Sequence, residues 1–311
     1  MLSRRNVRIK VMQMLYTANR DGGLTYNHVE RAYKQRVDNS YKTYLFNIHF
    51  LIKVAGESKH DEDRRKAKLL PGEEDLNFKA ILANNPAVDS LTNNTGFFQL
   101  LKQYKLTSAV NQDIAKQLYL AFAESAEYKA YVAKPVTSLK EHVDMLSELY
   151  RFCTKHELFH DSIEDVFPNW IDDDSLVMGA TKKTLKKLPV DEFFFKEFKP
   201  DYETVEEYGM ELLYKVSHLD DDLLELIKPK LQNWEVERVA ILDMILIKMA
   251  LSEFLHFPTI PTKVTLNEYV EISKMYSTPK SKDFINGILD RLLKQLMKEG
   301  KINKLGRGLK S

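Results

Sequence analysis

Apolar residues recur along this chain with the spacing of α-helices, and convincing strand alternation occurs nowhere. In the first segment, Ser3 stands as a cap before an apolar helical face, which predicts a helix that ends near Asn19. The residues on that face are Val7, Val11, Met14, Leu15 and Ala18. The last apolar segment, 282–297, repeats the pattern. The periodicity therefore predicts an all-α protein.

The middle of the chain continues in the same way. Segment 24–55 contains neither Gly nor Pro and predicts one long helix or two short ones. The mixed charge run 59–68 follows it as a solvated loop or a helix end. Three more helices are predicted near residues 97–105, 108–133 and 138–160.

Two features organise the last third of the chain. The segment from Val236 to Phe254 is apolar on most sides, which predicts a central core helix. Thr265 and Glu268 have the spacing of a capping box, which predicts that a helix opens there and runs through Met275.

Composition narrows the class of protein. The 311 residues include only 11 Gly and 10 Pro, too few for a collagen-like or low-complexity chain. The single cysteine, Cys153, excludes an internal disulfide and is expected to be a buried apolar residue. No segment approaches the ~18 apolar residues of a membrane helix, and no signal-peptide core follows the first arginines. We therefore expect a cytoplasmic protein without a membrane contact.

Charge is balanced in total and segregated locally. The 46 Lys and Arg against 45 Asp and Glu exclude a wholly basic nucleic-acid binder. However, the first 20 residues contain five cations and no acid, and residues 296–311 contain five cations and one acid. Arg4, Arg5 and Arg8 fall where helical N–H groups also favour anions, and guanidiniums pair bidentately with phosphate. The pattern favours phosphate-binding ends, with a solvated helix end as the alternative.

One catalytic motif is present. His156, Glu157 and His160 read H-E-x-x-H, which on a helix can hold Zn²⁺ and supply a general base. The extended motif is broken, since Ile163 and Val166 stand where Gly and a third His are required. Glycine-rich phosphate loops and a nucleophile elbow are absent. We expect no enzyme, cofactor, metal or small-molecule substrate, with a zinc hydrolase as an alternative.

A stronger signal comes from motifs at the two ends of the chain. The arginine-rich first helix continues into the pair Leu15-Tyr16. Later motifs follow in a fixed order: Trp234–Arg238, Ile247–Glu253, Pro261–Glu268 and the run Phe-Ile-Asn-Gly-Ile-Leu-Asp at 284–290. Together they resemble the NusB family of bacterial transcription antitermination factors.

The resemblance covers about residues 1–40 and 200–297. It implies a NusB-like helical bundle of two packed helical subdomains, with a large helical insertion in the amino-terminal half. We assign 1–44 and 196–297 to the two parts of the core, 45–195 to the insertion and 298–311 to a basic tail. The insertion carries no motif that indicates a function.

The resemblance also implies a set of RNA contacts. Tyr276 and Phe284 bracket a polar loop, and an aromatic ring that stacks on an unpaired base contributes about 1–3 kcal/mol. Phe284 could equally belong to the core, and Asn286 could serve helix packing. The candidate RNA-binding residues are Arg4, Arg5, Arg8, Lys230, Lys274, Tyr276, Lys280, Ser281, Lys282, Phe284 and Asn286.

By resemblance, the protein is expected to bind the boxA element of ribosomal RNA transcripts. It would do so together with NusE, a small-subunit ribosomal protein, in the RNA polymerase antitermination complex. The alternative is a helical protein-interaction module without an RNA role, whose working surface is the insertion.

Overall fold

A computed structural model of the chain describes residues 1–168, 170–231 and 236–309. These residues form helices and no strand, which confirms the predicted all-α class. The α-helices are α1 Arg4–Arg20, α2 Tyr26–Lys66, α3 Glu73–Asn77, α4 Pro86–Thr92, α5 Thr95–Gln103, α6 Gln112–Ala123, α7 Ala126–Val132, α8 Leu139–Cys153, α9 Glu157–Glu164, α10 Asp174–Leu185, α11 Glu211–His218, α12 Asp220–Ile227, α13 Ile241–His256, α14 Thr262–Tyr276 and α15 Ser281–Lys298.

The described chain divides into two compact units. The middle unit comprises Asp38–Lys199 with Met1, and the terminal unit comprises Leu2–Val37 and the segment from Pro200 onward. The division falls within helix α2. The predicted insertion 45–195 lies inside the middle unit, and its status as an insertion stays a prediction.

The middle unit has a large aromatic core of its own, to which α2 contributes Tyr44, Phe46 and Phe50. The charge run 59–68 forms the last turns of α2 as far as Lys66, and Asp61 there accepts hydrogen bonds from Arg64 and Arg65. Ion pairs three and four residues apart stabilise a helix, which explains why these polar turns remain helical.

Two of the long helices predicted for the middle unit are each divided in the structure. Segment 108–133 contains α6 and α7, because the Ser125 side chain accepts from the backbone N–H of Tyr128 and so begins a new helix. Segment 138–160 contains α8, capped by Ser138, and the start of α9. The Ser125 cap therefore outweighs the continuous apolar pattern at the first division, whereas α9 begins without a side-chain cap at the second.

The terminal unit is built around α13, which packs against α1, α11, α12, α14 and α15. This confirms the predicted core helix, although it begins at Ile241 rather than Val236. Ser3 caps α1 as predicted. The Ser3 N–H donates to the Asn6 side chain, which completes a capping box. The Trp234–Glu235 part of one predicted motif lies outside the described residues.

A π-helical segment, Glu203–Met210, leads into α11 and lies against α1. Its Gly209 approaches other helices so closely that an added Cβ would lie 1.9 Å from Tyr33 Oη and 2.5 Å from Val7 Cγ1. Tyr33 is fully buried and donates to the Val205 carbonyl at 3.0 Å, so its ring is held in place. The absence of a side chain at Gly209 lets this segment pack on α1.

We expect Gly209→Ala to lower the free energy of unfolding by about 1–3 kcal/mol, because overpacking forces the neighbours to shift. Gly179→Ala on α10 is the control, since a Cβ there meets nothing within 4 Å. That variant should be neutral or slightly more stable. Chemical denaturation of both proteins measures the difference, and equal stabilities would contradict this account of Gly209.

Candidate nucleic-acid interface

The first turns of α1 place Arg8 in the interior of the terminal unit. Its side chain is buried, with 2% of the residue exposed. The guanidinium donates twice to Glu253 on α13, from Nε to Oε1 at 2.7 Å and from Nη2 to Oε2 at 2.9 Å. It also lies 5.4 Å from the ring centre of Tyr208 and 5.6 Å from that of Tyr269. Such cation–π contacts strengthen when they are shielded from water.

Glu253 is the centre of this buried cluster. Its carboxylate also accepts from Tyr208 Oη at 2.5 Å, Tyr269 Oη at 2.6 Å and Thr265 Oγ1 at 2.9 Å. Burial alone would raise the pKa of Glu253, but the Arg8 charge and these hydrogen bonds outweigh it and hold the pKa below its usual 4.5. Glu253 therefore stays ionised and fully paired.

The phosphate contact of Arg8 stays a prediction, and the burial of its side chain disfavours that contact. The guanidinium is occupied by Glu253 and has almost no surface for a ligand. Its pKa is raised, because the Glu253 carboxylate outweighs the cost of burying the charge. Arg8 fixes α1 against α13, and its neighbours Arg4 and Arg5 face outward.

Arg4 and Arg5 are partly exposed, with 38% and 45% of their side chains accessible. Arg5 pairs bidentately with Glu268 on α14, at 2.8 and 2.6 Å, and Arg4 donates to Glu203 at 2.9 Å. Exposed ion pairs contribute only about 0–1 kcal/mol. A phosphate group can therefore replace Glu203 at little cost, whereas the bidentate pair of Arg5 with the half-buried Glu268 is harder to break.

An open groove borders these two arginines. It encloses about 760 Å³ at the amino terminus of α1. The residues that line it are Ser3, Arg4, Arg5, Arg8, Thr259, Ile260, Pro261, Val264 and Glu268. The two outward guanidiniums and the first backbone N–H groups of α1 favour an anion at this place.

The predicted capping box at Thr265 is wrong. Helix α14 begins at Thr262, after Pro261, and neither predicted capping side chain bonds to the helix end. Thr265 binds the buried Glu253, and Glu268 binds Arg5. Thr265 thus contacts an acid of α13, and Glu268 contacts an arginine of α1.

The loop between α14 and α15 is anchored by a second buried acid, Asp243. Its carboxylate accepts from Ser277 Oγ at 2.5 Å and from Ser281 Oγ at 2.7 Å. Ser281 is only 3% exposed and its hydroxyl donates to Asp243, which disfavours the RNA contact predicted for it; that contact stays a prediction. The anchored serine fixes the end of the loop that carries Lys280 and the first turn of α15, which carries Lys282.

The other candidates around this loop remain at the surface. Lys274, Lys280, Lys282 and Asn286 are exposed, and Tyr276 and Phe284 are half-buried. Lys274 pairs with Glu271 on its own helix. Lys230 is half-buried, and its carbonyl accepts from Arg291 at 3.1 Å.

Sequence reasoning missed the two buried acids that organise the interface. Asp243 and Glu253 both lie in α13, the most apolar helix of the terminal unit. A carboxylate inside an apolar helix must find a cation or hydrogen-bond donors, because an unpaired buried charge is very costly. That signal is visible in the sequence, but it does not identify the partners.

The H-E-x-x-H segment does not form the predicted zinc-binding helix. His156 lies before α9 in an extended conformation, so the two imidazoles do not share a helical face. His160 Nε2 is bonded to the Thr154 carbonyl at 2.9 Å. Across the described residues, no cluster of three or more His, Cys, Asp or Glu could hold a metal ion. This geometry gives the zinc hydrolase alternative no support.

The fold and the interface define an all-helical protein in which a buried arginine–glutamate pair fixes two outward arginines at a helix amino terminus. The NusB family model matches residues 176–294. A relative from Koribacter versatilis, transcription antitermination protein NusB, is 33% identical over 112 residues, which cover 36% of this chain and 77% of that protein. The chain belongs to the NusB family.

Two further relatives carry the same name. The protein from Salinibacter ruber is 46% identical over 85 residues, covering 27% of this chain and 53% of that protein. The protein from Chloroherpeton thalassium is 47% identical over 77 residues, covering 25% and 36%. The chain thus spans about half or less of the length of these two relatives. No solved structure matches the chain.

The family match bears on the interface and on the predicted boundaries. It begins at residue 176, so the end of the predicted insertion 45–195 is part of the matched region. Helix α1 lies outside the match, yet Arg5 and Arg8 bind Glu268 and Glu253 within it.

Within the described part of the chain, every helix is too short or too polar to cross a membrane.

Proposed function

We propose that this protein is an RNA-binding transcription antitermination factor that binds boxA-type single-stranded RNA of ribosomal RNA transcripts. The observation that carries the proposal is the pair Arg4 and Arg5, held beside an open groove by the buried Arg8–Glu253 cluster. The family membership supports it as well, because the relatives are named transcription antitermination proteins.

The chemistry of the groove suits a phosphate backbone. When RNA binds, Arg4 and Arg5 exchange charge-assisted hydrogen bonds to glutamate for charge-assisted hydrogen bonds to phosphate. The gain in affinity then comes mainly from the counterions that the neutralised phosphates release. The buried cluster restrains α1, so the two guanidiniums lose little additional freedom when RNA binds. The arginines therefore supply affinity without base preference.

In this proposal the base contacts are made by the end of α14, the loop that follows it and the start of α15. Tyr276 and Phe284 offer half-buried rings for stacking, and Lys274, Lys280 and Lys282 offer cations around them. Eight residues of α14 separate Glu268 from Tyr276, a rise of about 12 Å. A single strand of a few nucleotides can span this distance.

In this proposal, Arg8 and Ser281 support the RNA site and do not contact the RNA. Each is buried and holds a neighbouring surface group through an acid of α13. Asn286 is exposed and remains a candidate RNA contact, as does Lys230. The proposed partners are boxA RNA, NusE and the RNA polymerase antitermination complex, and no cofactor or catalytic step is involved.

An RNA-binding titration tests the proposal directly. Fluorescence anisotropy of the full chain with a boxA-like oligonucleotide and a scrambled one, each with and without NusE, separates the two candidate functions. We expect tighter binding of the boxA-like RNA and a further gain with NusE. Equal binding of both RNAs in the presence of NusE would contradict the proposal and favour a protein-interaction module.

A further inference from the structure

The segment after α15 contacts the carboxyl end of α13. Lys304 Nζ donates to the carbonyls of Glu253 at 3.0 Å and Phe257 at 2.9 Å. The Leu305 N–H donates to the carbonyl of Pro258 at 2.9 Å. Each of these carbonyls also accepts one backbone N–H, Glu253 from Phe257 and Phe257 from Ile260, so Lys304 supplies a second donor. A cation at the carboxyl end of a helix is favourable. Lys304 thus caps the central helix of the terminal unit.

Gly308 completes this contact. A Cβ at this position would lie 2.0 Å from the Pro258 carbonyl oxygen, so no side chain fits without a shift of the backbone. Lys304 itself is half-buried, and burial lowers its pKa to about 8. The predicted basic tail, 298–311, therefore does not lie wholly in solvent, since one of its lysines is committed to α13.

The capped end of α13 adjoins the groove. Glu253, whose carbonyl Lys304 binds, holds Arg8 with its side chain. The residues that follow, Thr259, Ile260 and Pro261, form one wall of the groove beside Arg4 and Arg5. One lysine thus contacts both the residue that orients α1 and the start of the chain segment that forms the wall.

We propose that Lys304 is a positioning residue for the RNA site, and that segment 304–308 braces the α13–α14 connection that forms the groove wall. This inference rests on the proposed RNA function. Lys304 acts through the connection and does not contact the RNA. The brace lies beyond residue 294, where the family match ends, so it is an addition to the matched region.

Two substitutions release the brace in different ways. Lys304→Met keeps the aliphatic stem but removes the donor, and Gly308→Ala places a methyl group against Pro258. Lys301→Met is the matched control, because it removes one charge from the same tail at a lysine whose ion pair is with Glu299. All three proteins retain Arg4, Arg5 and the Arg8–Glu253 pair.

Affinity for a boxA-like oligonucleotide and its salt dependence are measured for all four proteins. We expect Lys304→Met and Gly308→Ala to weaken binding about tenfold through altered coupling, with the salt slope unchanged. Lys301→Met should match the wild type. A fall in slope of about 0.7 for Lys304→Met would instead mark a lost phosphate contact and overturn the positioning role.

Hydrogen exchange shows whether the brace is released, and RNA binding separates failure of this inference from failure of the proposed function. The Leu305 amide should be protected in the wild type and exchange faster in both brace variants. A wild type that shows no preference for the boxA-like RNA contradicts the proposed function. A wild type that binds, with Lys304→Met binding equally tightly, overturns the brace alone.

Discussion

Replacing Arg8 by methionine is expected to lower the free energy of unfolding by about 3–5 kcal/mol, because the Glu253 carboxylate is left buried without its cation. The pair is shielded from water, since Arg8 and Glu253 side chains are 3% and 0% exposed. Methionine preserves much of the side-chain volume, so the expected loss reports mainly on charge. Denaturant titration at pH 7 measures it.

The pH dependence of this variant gives a second signature. In the wild type the pKa of Glu253 lies below 4.5, so its pairing adds stability above that pH and the contribution is lost as pH falls. Without Arg8, burial dominates and raises the pKa of Glu253 above its unfolded value. Between pH 4.5 and that raised pKa, the variant then takes up a proton on folding. The stability gap should therefore narrow as pH is lowered towards 4.5.

Arg4→Met is the matched control for Arg8→Met. It removes the same charge from the same helix, but its partner Glu203 is exposed, so the expected loss is about 0–1 kcal/mol. The double variant Arg8→Met with Glu253→Gln should recover part of the loss, because no unpaired charge remains. Equal stabilities of Arg8→Met and Arg4→Met would contradict the central role of the buried pair.

The helices of the terminal unit were largely predictable because their signals are local. The Ser3 cap, the apolar face of α1 and the periodicity of 282–297 each depend on residues within a few turns. The divided helices of the middle unit were not predicted, because apolar periodicity continues across the cap at Ser125. Local caps and apolar patterns compete there, and the cap prevails.

The site was predictable in its residue types but not in their burial. Arg8 lies in the same arginine-rich turns as Arg4 and Arg5, so the sequence does not distinguish it from them. Its partner Glu253 lies 245 positions away. Ser281 similarly binds Asp243, 38 positions earlier. No local pattern encodes such pairings. Spacing therefore identified the surface but could not separate residues that face RNA from residues that support it.

The double variant Arg4→Ala with Arg5→Ala should lose affinity for a boxA-like oligonucleotide by roughly 100-fold. Each charge-assisted hydrogen bond to phosphate contributes about 1.5–3 kcal/mol, and the lower value applies because each arginine must first leave its glutamate. Stability should change little, since both ion pairs are partly exposed. The loss is thus expected in binding rather than in folding.

Lys182→Ala with Lys183→Ala provides the charge-matched control. Both lysines are exposed on α10 in the middle unit, and their removal lowers the net charge by the same amount. If the effect of the arginines were only a general attraction of RNA by positive charge, the control would weaken binding to a similar extent.

The salt dependence of RNA binding shows whether Arg4 and Arg5 contact phosphate groups. Titrations of the wild type, the double arginine variant and the double lysine control at several salt concentrations give the slope of log K against log salt. We expect a slope about 1.4 smaller for the arginine variant, about 0.7 for each lost phosphate contact, and an unchanged slope for the lysine control. An arginine variant with the wild-type slope and affinity would contradict the assignment of this groove as the RNA site.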